Sequence, residues 1–239
     1  MGSDLILTTL VLAGGILLPG LLIGSFDRRN FQSGWLLVAA LLVVANDAAL
    51  TDFLGHLPEI AWGDYNWQGK ILALAISLAV AAHPAFGWRR SGVTLNQGDE
   101  AVRSTMIVIA ASLLLFAILS LLLPNDPYSA ETLAFQASMP GLEEEIFYRG
   151  TLLLALNMAF TARRRTAGVD IGWGALIATL AFGMAHGVEF NDGVFEPDWI
   201  AMAISGIPAL ILLWVRERTG SVLWPIILHN AANTFPLIL

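Results

Sequence analysis

Long apolar runs of membrane-crossing length constrain this chain more than any other feature. A bilayer core of about 30 Å takes roughly 20 apolar residues of helix to cross, and eight candidate runs are bounded by charges or turn residues. They cover Leu5 to Phe26, about Trp35 to Leu54, about Ile71 to Trp88, Thr105 to Leu123, about Leu133 to Phe160, about Ile171 to His186, Trp199 to Val215 and Val222 to Leu239. Asp47 and Asp52 weaken the second run, and Pro124 stops the fourth. Pro140-Gly141 marks a kink or a helix start in the fifth. Because Asp4 precedes the first run and Arg28-Arg29 follow it, the reverse of a signal peptide's basic start, that run reads as a retained span.

The expected fold class is therefore all-α: a polytopic integral membrane helical bundle of about eight transmembrane helices. A single domain over 1–239 accounts for the chain, with its motif-bearing part at about 131–239. Only 13% of residues are charged, about half the usual share for a soluble domain. A net charge of −7 gives nothing to attract a phosphate backbone, so nucleic acid is excluded as a partner. The absence of cysteine excludes disulfide and thiolate chemistry. The bilayer itself is the first expected partner.

Loop charge supplies an orientation. Arg28, Arg29, Arg89, Arg90, Arg103, Arg163, Arg164, Arg165, Arg216 and Arg218 fall in alternate loops, which the positive-inside rule keeps cytoplasmic. The other loops carry Glu59, Asp64, Asp126, Glu131, Glu189, Asp192, Glu196 and Asp198, with Lys70 the one basic residue at their edge. Both termini are then extracytoplasmic, and the expected location is the plasma (inner) membrane of a prokaryote. Trp35, Trp62, Trp67, Trp88, Trp199 and Trp224 suit an interfacial aromatic belt. His56, in a loop, and His83, before Pro84, read as structural.

The fifth run is anomalous. It contains Glu143-Glu144-Glu145 and Arg149, and each charge near the centre of a membrane helix costs about 2.5 to 3.5 kcal/mol. Glu145 and Arg149 are four residues apart in the favourable order and can offset part of that cost. Glu144 lies about 100° round the helix from Glu145 and is free to face something else. Two further pairs, Phe182 with His186 and His229 with Asn233, have the same spacing on the sixth and eighth runs. A carboxylate in a dry site can take a proton from water, while His and Asn can donate hydrogen bonds to the oxyanion that develops on a scissile carbonyl.

In order and spacing, Glu144-Glu145-x-x-x-Arg149, Phe182-x-x-x-His186 and His229-x-x-x-Asn233 resemble the three motifs of the CAAX protease and bacteriocin-processing (CPBP, Rce1-like) family of intramembrane endopeptidases. The strings Phe147-Tyr148-Arg149-Gly150 and Arg218 to Pro225 are similar to that family as well. The resemblance implies a peptide or protein substrate with a membrane-anchored segment. It implies Glu144 as general base, His186 as a water-positioning residue, and His229 and Asn233 as the oxyanion hole. Glu145 and Arg149 would be supporting structure, and Phe182 packing. Arg149 fixes the register, which leaves Glu143 outside the motif and without a role. No cofactor is implied. The alternative is zinc held by Glu144, His186 and His229, although no His-Glu-x-x-His string is present. A proton- or ion-coupled transporter is the competing class, since intramembrane Glu, His and Arg also mark ion pathways.

Overall fold

In a computed structural model, residues 2–52, 55, 63–97, 99–122 and 127–239 are described. His56, Glu59, Trp62, Pro124 and Asp126 lie outside these residues. The helices are α1 (Gly2–Phe26), α2 (Ser33–Thr51), α3 (Trp67–Ala82), α4 (Asp99–Leu122), α5 (Ala130–Gln136), α6 (Met139–Glu145), α7 (Leu153–Ala159), α8 (Trp173–Ala185), α9 (Trp199–Thr219) and α10 (Leu223–Ile238). A π-helical segment, Ile146–Leu152, joins α6 to α7. Each of the eight apolar runs therefore contains helix among the described residues, and the all-α membrane bundle holds. Among the described residues, four helices are long and apolar enough to cross a membrane: α1, α2, α9 and the Arg103–Leu122 part of α4. The helices α3 and α8 are apolar but shorter.

Local chemistry explains where the helices begin and end. Asn66 caps α3 by accepting from the Gly69 N–H at 2.9 Å, and Asp198 caps α9 by accepting from Ile200 and Ala201. Expected to run to Trp88, α3 stops at Ala82, because Pro84 restricts His83 to extended backbone. At the far end of α9, Gly220 takes the left-handed conformation (φ 74°) and its N–H closes on the Arg216 carbonyl. The fifth run is not one helix. It breaks after α5 and restarts at Met139-Pro140, where proline suits the first helical turn.

Two short antiparallel hairpins lie outside the sequence expectations, Arg164–Thr166 with Val169–Ile171 and Phe190–Asn191 with Val194–Phe195. Their tips, Ala167-Gly168 and Asp192-Gly193, all have positive φ, as two-residue hairpin turns of the I′ kind require.

The broken fifth element is the centre of the bundle. From Glu143 to Leu156 nearly every residue is buried, and α3, α8 and α10 pack on α6 or the π segment while α2 and α8 pack on α7. The outer helices carry their apolar side chains outward instead. Leu18 and Leu22 of α1, Ile107 and Leu122 of α4, and Ile200 and Ile204 of α9 are all more than half exposed. So much exposed aliphatic surface suits lipid and not water.

Contacts sort the connections to two ends of the bundle. At one end Gln32 and Thr161 bond to Ala159 and Asn30, Val222 to Gly92, and Arg218 to Gly168. This end gathers the arginine-rich loops. At the other, Gly193 donates to Asp4, and Glu131 accepts from the backbone N–H groups of Asp64 and Tyr65 and from the Trp67 indole. These donors, the Asp64 N–H first among them, hold the Glu131 carboxyl below the usual carboxylate range. Trp67 is thereby a bonded residue of this end and not simply a member of an aromatic belt.

Candidate active site

Three elements bring the motif residues to one place. α6 starts at Met139-Pro140 and presents Glu143, Glu144 and Glu145 after one turn and a half. Its start is pinned to α10, where the Asn230 side chain accepts from the Gly141 N–H at 2.7 Å and donates to the Ser138 carbonyl at 3.2 Å. A Cβ on Gly141 would meet the Ile226 carbonyl at 2.7 Å, so only glycine admits this approach of the two helices. His186 terminates α8, and His229 lies on the face of α10 next to the Asn230 clasp.

Glu144 faces both histidines. Its Oε2 lies 3.6 Å from His186 Nε2 and 3.8 Å from His229 Nε2. Among the described residues this oxygen has no hydrogen-bond partner. The gaps are longer than direct hydrogen bonds. His186 is held by its other nitrogen, with Nδ1 2.8 Å from the Phe182 carbonyl. A carbonyl only accepts, so Nδ1 carries the proton and the Nε2 of a neutral His186 presents a lone pair.

His229 is held by the second motif carboxylate, Nδ1 to Glu145 Oε1 at 2.7 Å. The same oxygen accepts from Arg149 Nη1 at 3.0 Å. Glu145 has no exposed surface and Arg149 almost none, so each satisfies a charge that would otherwise be stranded in a medium of low dielectric. The π-helical segment begins directly after Glu145 and contains Arg149, with the Leu153 N–H returning to the Tyr148 carbonyl five residues back. Phe182 does more than fill space. Its ring lies 4.0 Å beneath the Arg149 guanidinium and edge-on to His229 and Tyr148, and its carbonyl holds His186.

Asn233 is one turn beyond His229 on α10 and lines the same cavity as Glu144, His186 and His229. That cavity has a volume of about 600 Å³. Its remaining wall is largely apolar, with Phe116 of α4, Ile204, Pro208 and Leu212 of α9, and Leu228 of α10. A second, more polar hollow at the acidic end shares Gln136, Ala232 and Asn233 with it and adds Tyr65, Tyr128 and Thr132.

Two participants lie outside the sequence reading. Lys70, counted there with the loops, belongs to the first turn of α3, and its ammonium is 2.7 Å from Glu143 Oε2 and 2.7 Å from Glu144 Oε1. Glu143, set aside there, is fully buried against Lys70, with Asn46 of α2 beside it. Lys70 had one visible signal, as the single cation at the edge of the acidic loops.

The Glu145, Arg149 and His229 cluster predicts a specific cost. Arg149→Met leaves a buried carboxylate without its guanidinium and should destabilise the protein by about 3–5 kcal/mol, read as a shift in SDS or thermal unfolding of detergent-solubilised protein. A loss below about 1 kcal/mol, the range of exposed pairs, would contradict the buried pairing.

Comparison with known proteins bears on the same residues. The family model described as type II CAAX prenyl endopeptidase Rce1-like matches residues 126–235, a little under half of the chain and the part that carries all three motifs. No curated protein and no solved structure matches the chain. The segment that carries all three motifs, from α5 through the broken central helix to Asn233, is thus similar to the Rce1-like family, and it belongs to a multi-pass chain whose described helices include several apolar enough to cross a membrane.

Proposed function

We propose that this protein is an intramembrane endopeptidase in which Glu144 activates water to hydrolyse a peptide bond of a membrane-associated or lipid-anchored substrate. The observation that carries the reading is the unpartnered Glu144 Oε2 at 3.6 and 3.8 Å from two imidazole nitrogens, inside a cavity that is otherwise mainly apolar. A water in that gap donates one hydrogen to Glu144 Oε2 and the other to the lone pair on His186 Nε2. Its remaining lone pair then faces the cavity. Glu144 takes the proton as the water oxygen bonds to the carbonyl carbon, and the C=O electrons move onto oxygen.

His229 and Asn233 receive that oxyanion. Nδ1 of His229 faces Glu145 and Nε2 faces Glu144, so the ring donates from Nε2 as an imidazolium that stands between two carboxylates. Collapse of the tetrahedral intermediate breaks the C–N bond, and the proton on Glu144 passes to the leaving amine. Acid, amine and free carboxylate are the balanced products. The apolar wall of α4, α9 and α10 takes the anchored part of the substrate, and the polar hollow at the acidic end takes its water-facing part.

Zinc fits the residues poorly. Glu144, His186 and His229 offer one oxygen and two nitrogens, but the Lys70 ammonium already occupies Glu144 Oε1 at 2.7 Å, and a divalent cation on the same carboxylate would face that positive charge. The reading is therefore metal-free.

Proteoliposomes test it with two fluorogenic probes, a farnesylated C-terminal peptide and the same peptide carried on a transmembrane anchor. The wild type is expected to cleave at least one of them and to keep that activity in 1,10-phenanthroline. Glu144→Gln should lower kcat by about 100-fold or more and Asn233→Ala by about 100- to 1,000-fold. Full activity in Glu144→Gln would sink the assignment, and loss of activity to the chelator with recovery on added zinc would replace it with the metal mechanism.

The arginine-rich end is read as cytoplasmic and the acidic end, with both termini and the mouth of the site, as extracytoplasmic. A chain without cysteine makes this simple to check in intact cells of the native host or an expression host. Gly193→Cys should react with an impermeant maleimide added outside and Gly168→Cys should not. The opposite pattern would invert the topology and bring a cytosolic prenylated tail within reach.

A further inference from the structure

Lys70 stands on α3, outside the matched residues 126–235, yet it makes the shortest contacts to the proposed base. Its ammonium has three donors, and two go to neighbouring carboxylates at 2.7 Å each, Glu143 Oε2 and Glu144 Oε1. The consequence for Glu144 is geometric. A carboxylate rotates freely about its last bond, and either oxygen could otherwise turn to the histidines. With Oε1 held from one side, the oxygen left to face His186 and His229 is Oε2.

Glu143 supplies the second half of the arrangement. It is fully buried and points to the same ammonium, so two carboxyl groups share one cation. Holding Lys70 from Glu143 as well fixes the ammonium in place beside Glu144. Among the described residues, the other charged or titratable groups that face Glu144 from its surroundings include His186 on α8, His229 on α10, and Tyr148 in the π segment. Glu131 of the neighbouring α5 is turned to the Asp64 loop.

We propose that Lys70, anchored by Glu143, is a positioning residue that orients the Glu144 carboxylate and keeps it ionised for attack by water. The assignment rests on Glu144 being the base. It extends the site to a helix that the family motifs do not cover, and it gives the triplet Glu143-Glu144-Glu145 three separate duties: anchor, base and support.

Full-length protein in nanodiscs provides the test, with Lys70→Met, Lys70→Arg and Glu143→Gln beside the wild type. On whichever of the two probe peptides is cleaved, Lys70→Met should lose kcat on the order of 100-fold through misorientation with KM unchanged. The acidic limb of its kcat profile should move to higher pH, because a carboxylate that loses an adjacent cation keeps its proton to higher pH. Lys70→Arg should recover kcat and the profile, and Glu143→Gln should fall between. Wild-type kcat and pH profile in Lys70→Met would overturn the proposal. A second readout does not need turnover: infrared difference spectra of 13C-glutamate protein should gain a protonated-carboxyl band in Lys70→Met that disappears in the Lys70→Met, Glu144→Gln double variant. Absence of that band would also overturn it, whereas failure of the wild type to cleave either peptide would count against the protease reading alone.

Discussion

Charge held inside an apolar bundle must be answered by charge, and the central part of this molecule is arranged around that requirement. Glu145, Arg149 and His229 form one set, with a single carboxylate oxygen taking both partners at 3.0 and 2.7 Å. Lys70, Glu143 and Glu144 form another. Each set draws its members from different helices, so the bonds that neutralise charge also fix α3, the broken central helix and α10 relative to one another. Removing a partner from such a set costs far more than losing a surface pair. Among the unpartnered polar atoms left at the meeting point is Oε2 of Glu144, the carboxylate of the three that lines the cavity.

Backbone irregularity serves the same end. A continuous helix through the fifth run would carry Glu144 past the His186 and His229 side chains without a start that α10 can grip. The break before Met139, the Asn230 clasp on Gly141 and the π segment after Glu145 fix both ends of α6. Its single charged turn is held between α3 and α10. Phe182 then links the two sides, under Arg149 by its ring and to His186 by its carbonyl.

Much of this was legible in the sequence, for identifiable reasons. Apolar runs report on the bilayer, so each contains helix, although among the described residues only four helices are long and apolar enough to cross a membrane. The i, i+4 spacing of Glu145 with Arg149 became a bond, because local spacing on a helix survives into the fold. Glu144, His186 and His229 were brought together although 85 residues separate the first and last. What stayed hidden depends on contacts between distant elements. Nothing local says that Lys70 turns inward toward α6, although as the lone cation at the acidic edge it was an exception of the same kind as Arg149. Glu143 looked redundant because its partner sits on α3. Asn230 looks like a neighbour of the motif until Gly141 is seen against it. The π segment and the two hairpins were missed for another reason: Ala167-Gly168 and Asp192-Gly193 are short turn signals, easily passed over between apolar runs.

The account turns on water, activated by Glu144, attacking the peptide bond directly. Single-turnover cleavage in H218O with hydroxylamine present tests this step. Direct attack predicts one 18O in the new carboxyl terminus and no hydroxamate. A hydroxamate product, or a new terminus lacking the label, would reveal a covalent acyl intermediate or another source of the oxygen and would contradict the role given to Glu144.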